Sequence, residues 1–194
     1  IAEEHQYIPN RVGQQLKTLN NYTIGVIIPT ISNPFYASVM LGIEEIAQQN
    51  GYQVFLCNSK QNPELEDGYL KTLFENQVEG VIVSSISANK KLLTHLMDLG
   101  LKVVAVDQHL NIKEVQQIEF NYRKGGYLAT KHLIDHGHRD IAYITAPLDR
   151  PSRKSIYQGY LDALSEAGLE TKDAMIQIAD KESSLYDEIY EFNN

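Results

Sequence analysis

Four short apolar runs separated by three helix-like segments constrain this chain more than any other feature of it. Thr23-Ile24-Gly25-Val26-Ile27-Ile28-Pro29, Gln53-Val54-Phe55-Leu56-Cys57-Asn58, Gly80-Val81-Ile82-Val83-Ser84 and Lys102-Val103-Val104-Ala105-Val106 read as strands. A strand buried on both faces shows a continuous apolar run rather than alternation, and Ile24, Val26, Ile27 and Ile28 form one. Between the runs, Phe35 to Asn50 carries Phe35, Val39, Gly42, Ile43, Ile46 and Ala47 on one helical face, Pro63 to Asn76 carries Leu70, Leu73 and Phe74, and Asn89 to Leu99 makes a third helix. Gly51 and Gly100 are the stops. Strand and helix alternating through short loops imply right-handed crossovers, so the expected class is α/β with a doubly wound parallel sheet. Ligands of such sheets bind outside the carboxyl ends of the strands. The Ser32-Asn33-Pro34-Phe35-Tyr36 corner and Asp107, which ends the fourth run, are expected on that edge.

Beyond a polar excursion at Leu110 to Val115 and a weaker strand at Gln116 to Asn121, the pattern resumes with a helix at Arg123 to Asp135, the strand Ile141 to Thr145 and the turn Ala146-Pro147-Leu148-Asp149-Arg150. A helix then runs to Ala167 with Ile156, Tyr160, Ala163 and Leu164 on one face, followed by a strand at Ala174 to Ile178 and the start of a helix at Ser183 to Phe192. The expected division is 1–22, 23–121 and 122–194, the last holding too few strands for an independent sheet of this type. Upstream of Thr23, Ile1 to Gln6 reads as the tail of a helix broken at Tyr7-Ile8-Pro9-Asn10. Asn10 is a candidate cap for Arg11 to Lys17, a helix too short to be stable alone in water. The chain reads as cut from something longer.

Composition narrows the function. A length of 194 residues with 43% hydrophobic and 22% charged residues is that of an ordinary globular protein. No apolar run approaches the roughly 20 residues of a membrane helix, so no membrane partner is expected. A formal charge of -8 argues against coating nucleic acid with the whole body, so any such binding belongs to a local element. The single cysteine, Cys57, lies in an apolar strand and reads as a structural thiol. Phosphate-loop, dinucleotide, nucleophile-elbow and zinc-protease signatures are all missing from the sequence. His132, His136 and His138 invite a metal reading, but no carboxylate or cysteine completes a ligand set with clear spacing. A solvated helix end is the better reading, with neither metal nor cofactor expected.

The Asn33-Pro34-Phe35-Tyr36 corner admits two readings, a turn with Phe35 in the core or an aromatic wall for a sugar or base. Asp107 either caps a turn or accepts hydrogen bonds from ligand hydroxyls, and Arg150 is either a surface charge or a clamp on a polar ligand.

Taken in order, Tyr7-Ile8-Pro9-Asn10 with Gln15-Leu16-Lys17, Thr23 to Pro29, Ser32 to Tyr36, Gly125-Gly126-Tyr127-Leu128-Ala129-Thr130, His132-Leu133-Ile134, Gly137-His138-Arg139 and Gly159-Tyr160 resemble the lactose-repressor (LacI) family of bacterial transcription regulators. Each piece is weak alone; their order and spacing are specific. The resemblance implies a helix-turn-helix of which only the trailing helix is present, a hinge helix, and a two-lobed effector domain similar to periplasmic sugar-binding proteins, its second lobe incomplete. It implies a cytoplasmic, homodimeric, non-enzymatic repressor. Operator affinity would be set by a small molecule, a sugar or related metabolite, bound between the lobes. The alternative is a sugar-binding receptor of the same fold without DNA binding. Residue by residue, Tyr7, Asn10, Val12, Leu16 and Lys17 fall at DNA-binding positions, Leu16 as an apolar wedge for the minor groove. Phe35, Tyr36, Asp107, Arg150 and Ser152 fall at positions lining the effector cleft. Ile156 stands where many sugar-responsive members place an arginine, which leaves open whether Arg153, one helical turn earlier, replaces it. Phe120-Asn121-Tyr122 departs from the more usual Asp-Asn at the lobe crossover.

Overall fold

The computed structural model describes residues 21–86, 89–172 and 175–179. The expectations placed on Tyr7, Asn10, Val12, Leu16 and Lys17, and on the helix starting at Ser183, lie outside the described residues. The chain divides into two compact units between Ile118 and Glu119.

In the first unit, β1 (Thr23–Ile28), α1 (Pro34–Gln49), β2 (Gln53–Asn58), α2 (Pro63–Glu75), β3 (Gly80–Val83), α3 (Lys90–Asp98), β4 (Val103–Val106) and β5 (Gln116–Ile118) follow in order. The strands form one sheet in the order β2-β1-β3-β4-β5, parallel throughout. Parallel pairing of the first four strands is as the apolar runs predict. The weak fifth strand joins the same sheet for three residues, and Glu119 to Asn121 lead instead into the next helix, where Asn121 caps it through Lys124 N–H. The boundary therefore falls three residues earlier than the expected Asn121.

Both faces of β1 are covered, which is why the run is apolar without alternation. Ile27 packs with Leu70, Leu73, Val81, Val83, Leu93 and Leu96; Val26 and Ile28 pack with Tyr36 on α1. On α1 the structure corrects the sequence stripe: Tyr36 and Ala47 are the buried residues, Phe35 and Ile43 are partly buried, and Ile46 is exposed. A phenol is buried in place of the neighbouring phenyl because its hydroxyl finds a partner. Helix starts are set by asparagines. Asn33 Oδ1 accepts from Phe35 N–H at 2.9 Å and Asn62 Oδ1 from Glu64 N–H at 2.8 Å, each followed by proline at the first helical position.

The chain enters β1 under a staple. Asn21 Nδ2 donates to the Asn76 carbonyl at 2.9 Å, Tyr22 N–H donates to Glu79 Oε1 at 2.8 Å, and Tyr52 Oη donates to Glu79 Oε2 at 2.7 Å while its ring meets Tyr22 edge-on. The Tyr52 hydrogen bond, helped by backbone donors and Lys102, holds the Glu79 carboxyl below its ordinary range against the effect of burial. The same bond, with burial and the Glu79 charge, raises the Tyr52 phenol. Glu79 thus stabilises the fold above the unfolded carboxylate pKa of about 4.3, and that contribution fades as pH falls through the depressed folded value. The Tyr52 proton contributes below the unfolded phenol value of about 10, and its share fades as pH rises through the raised one. Thermal melts from pH 3 to 11 should show wild type leading Glu79→Gln near neutrality, with the lead shrinking at both extremes; a constant lead across that range would refute the staple.

The second unit contains α4 (Tyr122–Asp135), β6 (Tyr143–Thr145), α5 (Pro151–Glu166) and β7 (Ile176–Ile178), with β6 and β7 parallel. Its core gathers Ile141, Tyr160 and Leu164, and Tyr160 Oη donates to the Ile141 carbonyl at 2.9 Å. Gly126 and Gly159 let α4 and α5 touch backbone to backbone. A Cβ on Gly126 would lie 2.2 Å from the Ile156 carbonyl oxygen, and one on Gly159 would lie 2.0 Å from that of Arg123. Arg123 closes the pair from outside with a two-pronged contact to Asp162, at 2.6 and 3.0 Å.

Candidate functional site

At the carboxyl edge of the first sheet, the ends of β1, β3 and β4 converge. Asp107 follows β4 directly, is 8% exposed and has φ 74°, a left-handed conformation that Asp adopts more readily than most residues. Tyr36, in the first turn of α1, donates its hydroxyl to Asp107 Oδ2 at 2.7 Å. Gln108 Nε2 donates to the same oxygen at 2.8 Å. Ser84, just beyond β3, lies 3.3 Å from Tyr36 Oη and 3.5 Å from Asp107 Oδ2. Phe35 meets the Tyr36 ring edge-on, centroids 5.0 Å apart, and remains partly open. The loops behind these residues are tied together, since Gln61 N–H donates to the Pro29 carbonyl and the buried Ser59 hydroxyl to that of Ile28.

An anchored carboxylate, a phenol and a hydroxyl beside a half-open aromatic ring are chemically able to hold a polar ligand with an apolar face. Of the residues singled out in the sequence, Phe35, Tyr36 and Asp107 are brought together here. Arg150 and Ser152 belong to the second unit, at the carboxyl end of β6, where Arg150 is the N-cap residue of α5 and Ser152 sits in its first turn; both are partly buried. Arg153 does not stand open as a replacement for the arginine that Ile156 displaces: its Nη1 donates to the Pro147 carbonyl at 3.1 Å and to Asp149 Oδ1 at 3.0 Å, bracing its own turn. Ser84 and Gln108 were missed by the sequence reading. The signal for Ser84 was available, because it closes the third apolar run and so falls on the same edge as Asp107. Gln108 carried none.

The histidines behave as a helix end. His136 Nδ1 lies 2.8 Å from the His132 carbonyl and both residues are exposed. Among the described residues no three histidine, cysteine or carboxylate groups are placed to hold a metal ion, and no helix is long and apolar enough to cross a membrane.

This parallel sheet, with its polar cluster at the carboxyl edge and a second βα unit after it, defines the periplasmic-binding-protein type of effector domain. The family model described as periplasmic binding proteins and sugar binding domain of LacI family matches residues 21–189, and the chain belongs to that family. It is 36% identical over 184 residues to the HTH-type transcriptional repressor PurR of Aliivibrio salmonicida, covering 94% of this chain and 55% of that protein. Among solved structures, the transcription regulator CcpA of Lactococcus lactis matches at 31% identity and TM-score 0.72 over 87% of this chain and 64% of that one. A periplasmic binding protein/LacI transcriptional regulator from Alkaliphilus metalliredigens, complexed with D-xylulofuranose, matches at 32% identity and TM-score 0.67 over 82% of this chain and 56% of that one. The chain spans about half the length of the curated relatives it matches.

Proposed function

We propose that this chain is the effector-sensing part of a DNA-binding transcription repressor, acting as a cytoplasmic homodimer, whose operator affinity is set by a sugar or related small metabolite. The observation that carries the reading is the Tyr36–Asp107–Ser84 cluster at the carboxyl edge of the sheet. A buried carboxylate accepting from phenol and amide is preorganised to receive ligand hydroxyls, which supports a reading of recognition in a non-enzymatic regulator. The repressor name of the Aliivibrio relative and the sugar in the Alkaliphilus complex support both halves of the proposal. Arg150 and Ser152 are the second unit's candidate effector contacts, and the two units correspond to the two expected lobes. A second copy is the partner that fits the apolar side chains exposed on α1 and the edge strand β2, Leu41, Phe55 and Leu56 among them.

DNA contact is assigned to Tyr7, Asn10, Val12, Leu16 and Lys17, with Leu16 as the wedge: an apolar side chain is needed where base stacking is lost. The test is fluorescence anisotropy of the intact protein on an operator selected from a random duplex pool. Leu16→Ala should weaken binding by roughly 1 to 3 kcal/mol with melting unchanged, whereas Lys17→Ala should chiefly flatten the salt dependence. A Leu16→Ala protein that binds normally but melts much earlier would make Leu16 a core residue and remove the DNA assignment.

A further inference from the structure

Among the described residues of the first unit, Glu66 is the one core carboxylate that the Tyr36–Asp107 cluster does not use. It is 1% exposed, on the inner face of α2. A buried carboxylate persists only where donors compensate its desolvation. Here the donors come from the segment that follows β3: Ser85 Oγ donates to Glu66 Oε1, and Ile86 N–H donates to Oε2 at 2.9 Å. One residue earlier in the same segment, Ser84 reaches Tyr36 and Asp107. The next residue of α2 adds a second tie, with Asn89 Nδ2 donating to Asp67 Oδ2 at 2.6 Å while Asn89 Oδ1 caps α3 through Leu92 N–H. Beneath the segment lies a small space whose lining includes the apolar Leu70, Val83 and Leu93 and the polar Asp67, Asn89 and Lys90.

We propose that Glu66 is a positioning residue for the effector site: by gripping Ser85 and Ile86 it fixes where Ser84 stands, and through Ser84 it sets the geometry of the Tyr36–Asp107 pair. This rests on the reading of that pair as the ligand site, but its geometric half does not need a ligand. A polar residue is required at position 66 because both grips are hydrogen bonds, and glutamine satisfies the same demand. Its carbonyl accepts from Ile86 N–H and its amide donates to Ser85 Oγ, whose hydroxyl can reverse. Leucine, of similar volume, can make neither bond.

The experiment compares wild type, Glu66→Leu, Glu66→Gln and Ser85→Ala in the intact protein, using two readouts. The first, without ligand, is the 13Cζ resonance of Tyr36 with amide exchange at Ile86. Glu66→Leu should shift the Tyr36 signal and speed Ile86 exchange by about tenfold or more, and Glu66→Gln should restore both. The second is calorimetric titration with D-xylulose and with D-ribose. Glu66→Leu should lower pentose affinity by about tenfold, and should lower it no further in a Ser84→Ala background, because the two act through one path. A merely structural Glu66 would lower the melting temperature and leave the Tyr36 signal and the affinity in place, which would overturn the proposal; so would a full additional loss on top of Ser84→Ala. If Glu66→Leu does not fold, Ser85→Ala removes one grip alone and should move the Tyr36 signal part of the way; an unmoved signal refutes the proposal. Should neither pentose bind wild type, the sugar reading of the site fails, while the Tyr36 shift still decides the role of Glu66.

Discussion

Replacing Gly159 with alanine is expected to cost the second unit about 3 kcal/mol or more, at the upper end of overpacking penalties. The added methyl would sit 2.0 Å from the Arg123 carbonyl oxygen and 2.6 Å from the Tyr127 amide nitrogen, both backbone atoms. No side chain can swing aside, so the two helices must part, and parting them loosens the Arg123–Asp162 contact and the seat of Tyr160. The control lies in the neighbouring helix. Gly125 has nothing within 4 Å of where a Cβ would stand, and alanine there should be neutral or stabilise by roughly 0.5 to 1 kcal/mol through helix propensity. Denaturant melts of the two variants check this directly; equal stabilities would refute the backbone-to-backbone crossing.

Asp107→Ala is the second large effect, with an expected loss of about 2 to 4 kcal/mol. One part is the lost hydrogen bond from the buried Tyr36 hydroxyl to the carboxylate, and the other is an alanine forced to φ 74°. Asn at this position separates stability from recognition. Its side chain tolerates the left-handed backbone and its carbonyl still accepts from Tyr36, so Asp107→Asn should lose at most about 1 kcal/mol of stability. Under the function proposed above, removing the charge should weaken binding of a pentose such as D-xylulose by about tenfold or more, since hydrogen bonds to a carboxylate exceed those to an amide. Calorimetric titration beside chemical denaturation tests the pair of variants. Asp107→Asn binding as tightly as wild type would move the ligand away from this edge.

The strand pattern was legible because a covered parallel strand leaves a period-free apolar run, as β1, β3 and β4 do, while the edge strand β2 keeps its apolar run with Phe55 and Leu56 exposed. Helix starts were legible where Asn and Pro announce them, at Asn33-Pro34 and Asn62-Pro63. Phe35, Tyr36 and Asp107 were found as candidates because strand ends are a topological address. The choice between Phe35 and Tyr36 for the core was not legible, since it turns on a hydroxyl meeting a carboxylate 71 positions away. Glu66 was hidden for a similar reason: a glutamate near a helix start reads as a solvated charge until the segment after β3 brings it two donors. The three-residue strand β5 was visible only as a weak apolar stretch, because an edge strand with one neighbour needs little burial.

The strand order β2-β1-β3-β4-β5 has a consequence for synthesis on the ribosome. As the chain emerges, β2 adds to one side of β1 and β3 to the other, after which β4 and β5 extend the β3 side one at a time. No strand ever has to insert between two already paired, so the sheet can grow vectorially at its edges in the order of translation. The polar cluster at the carboxyl edge lags behind that growth. Tyr36 leaves the exit tunnel with the first helix, but its hydrogen-bond acceptor Asp107 follows 71 residues later. Until then the phenol can meet only Ser84, delivered with the end of β3, and the Tyr36–Ser84–Asp107 cluster is complete only after β4, the fourth strand of the sheet, has emerged.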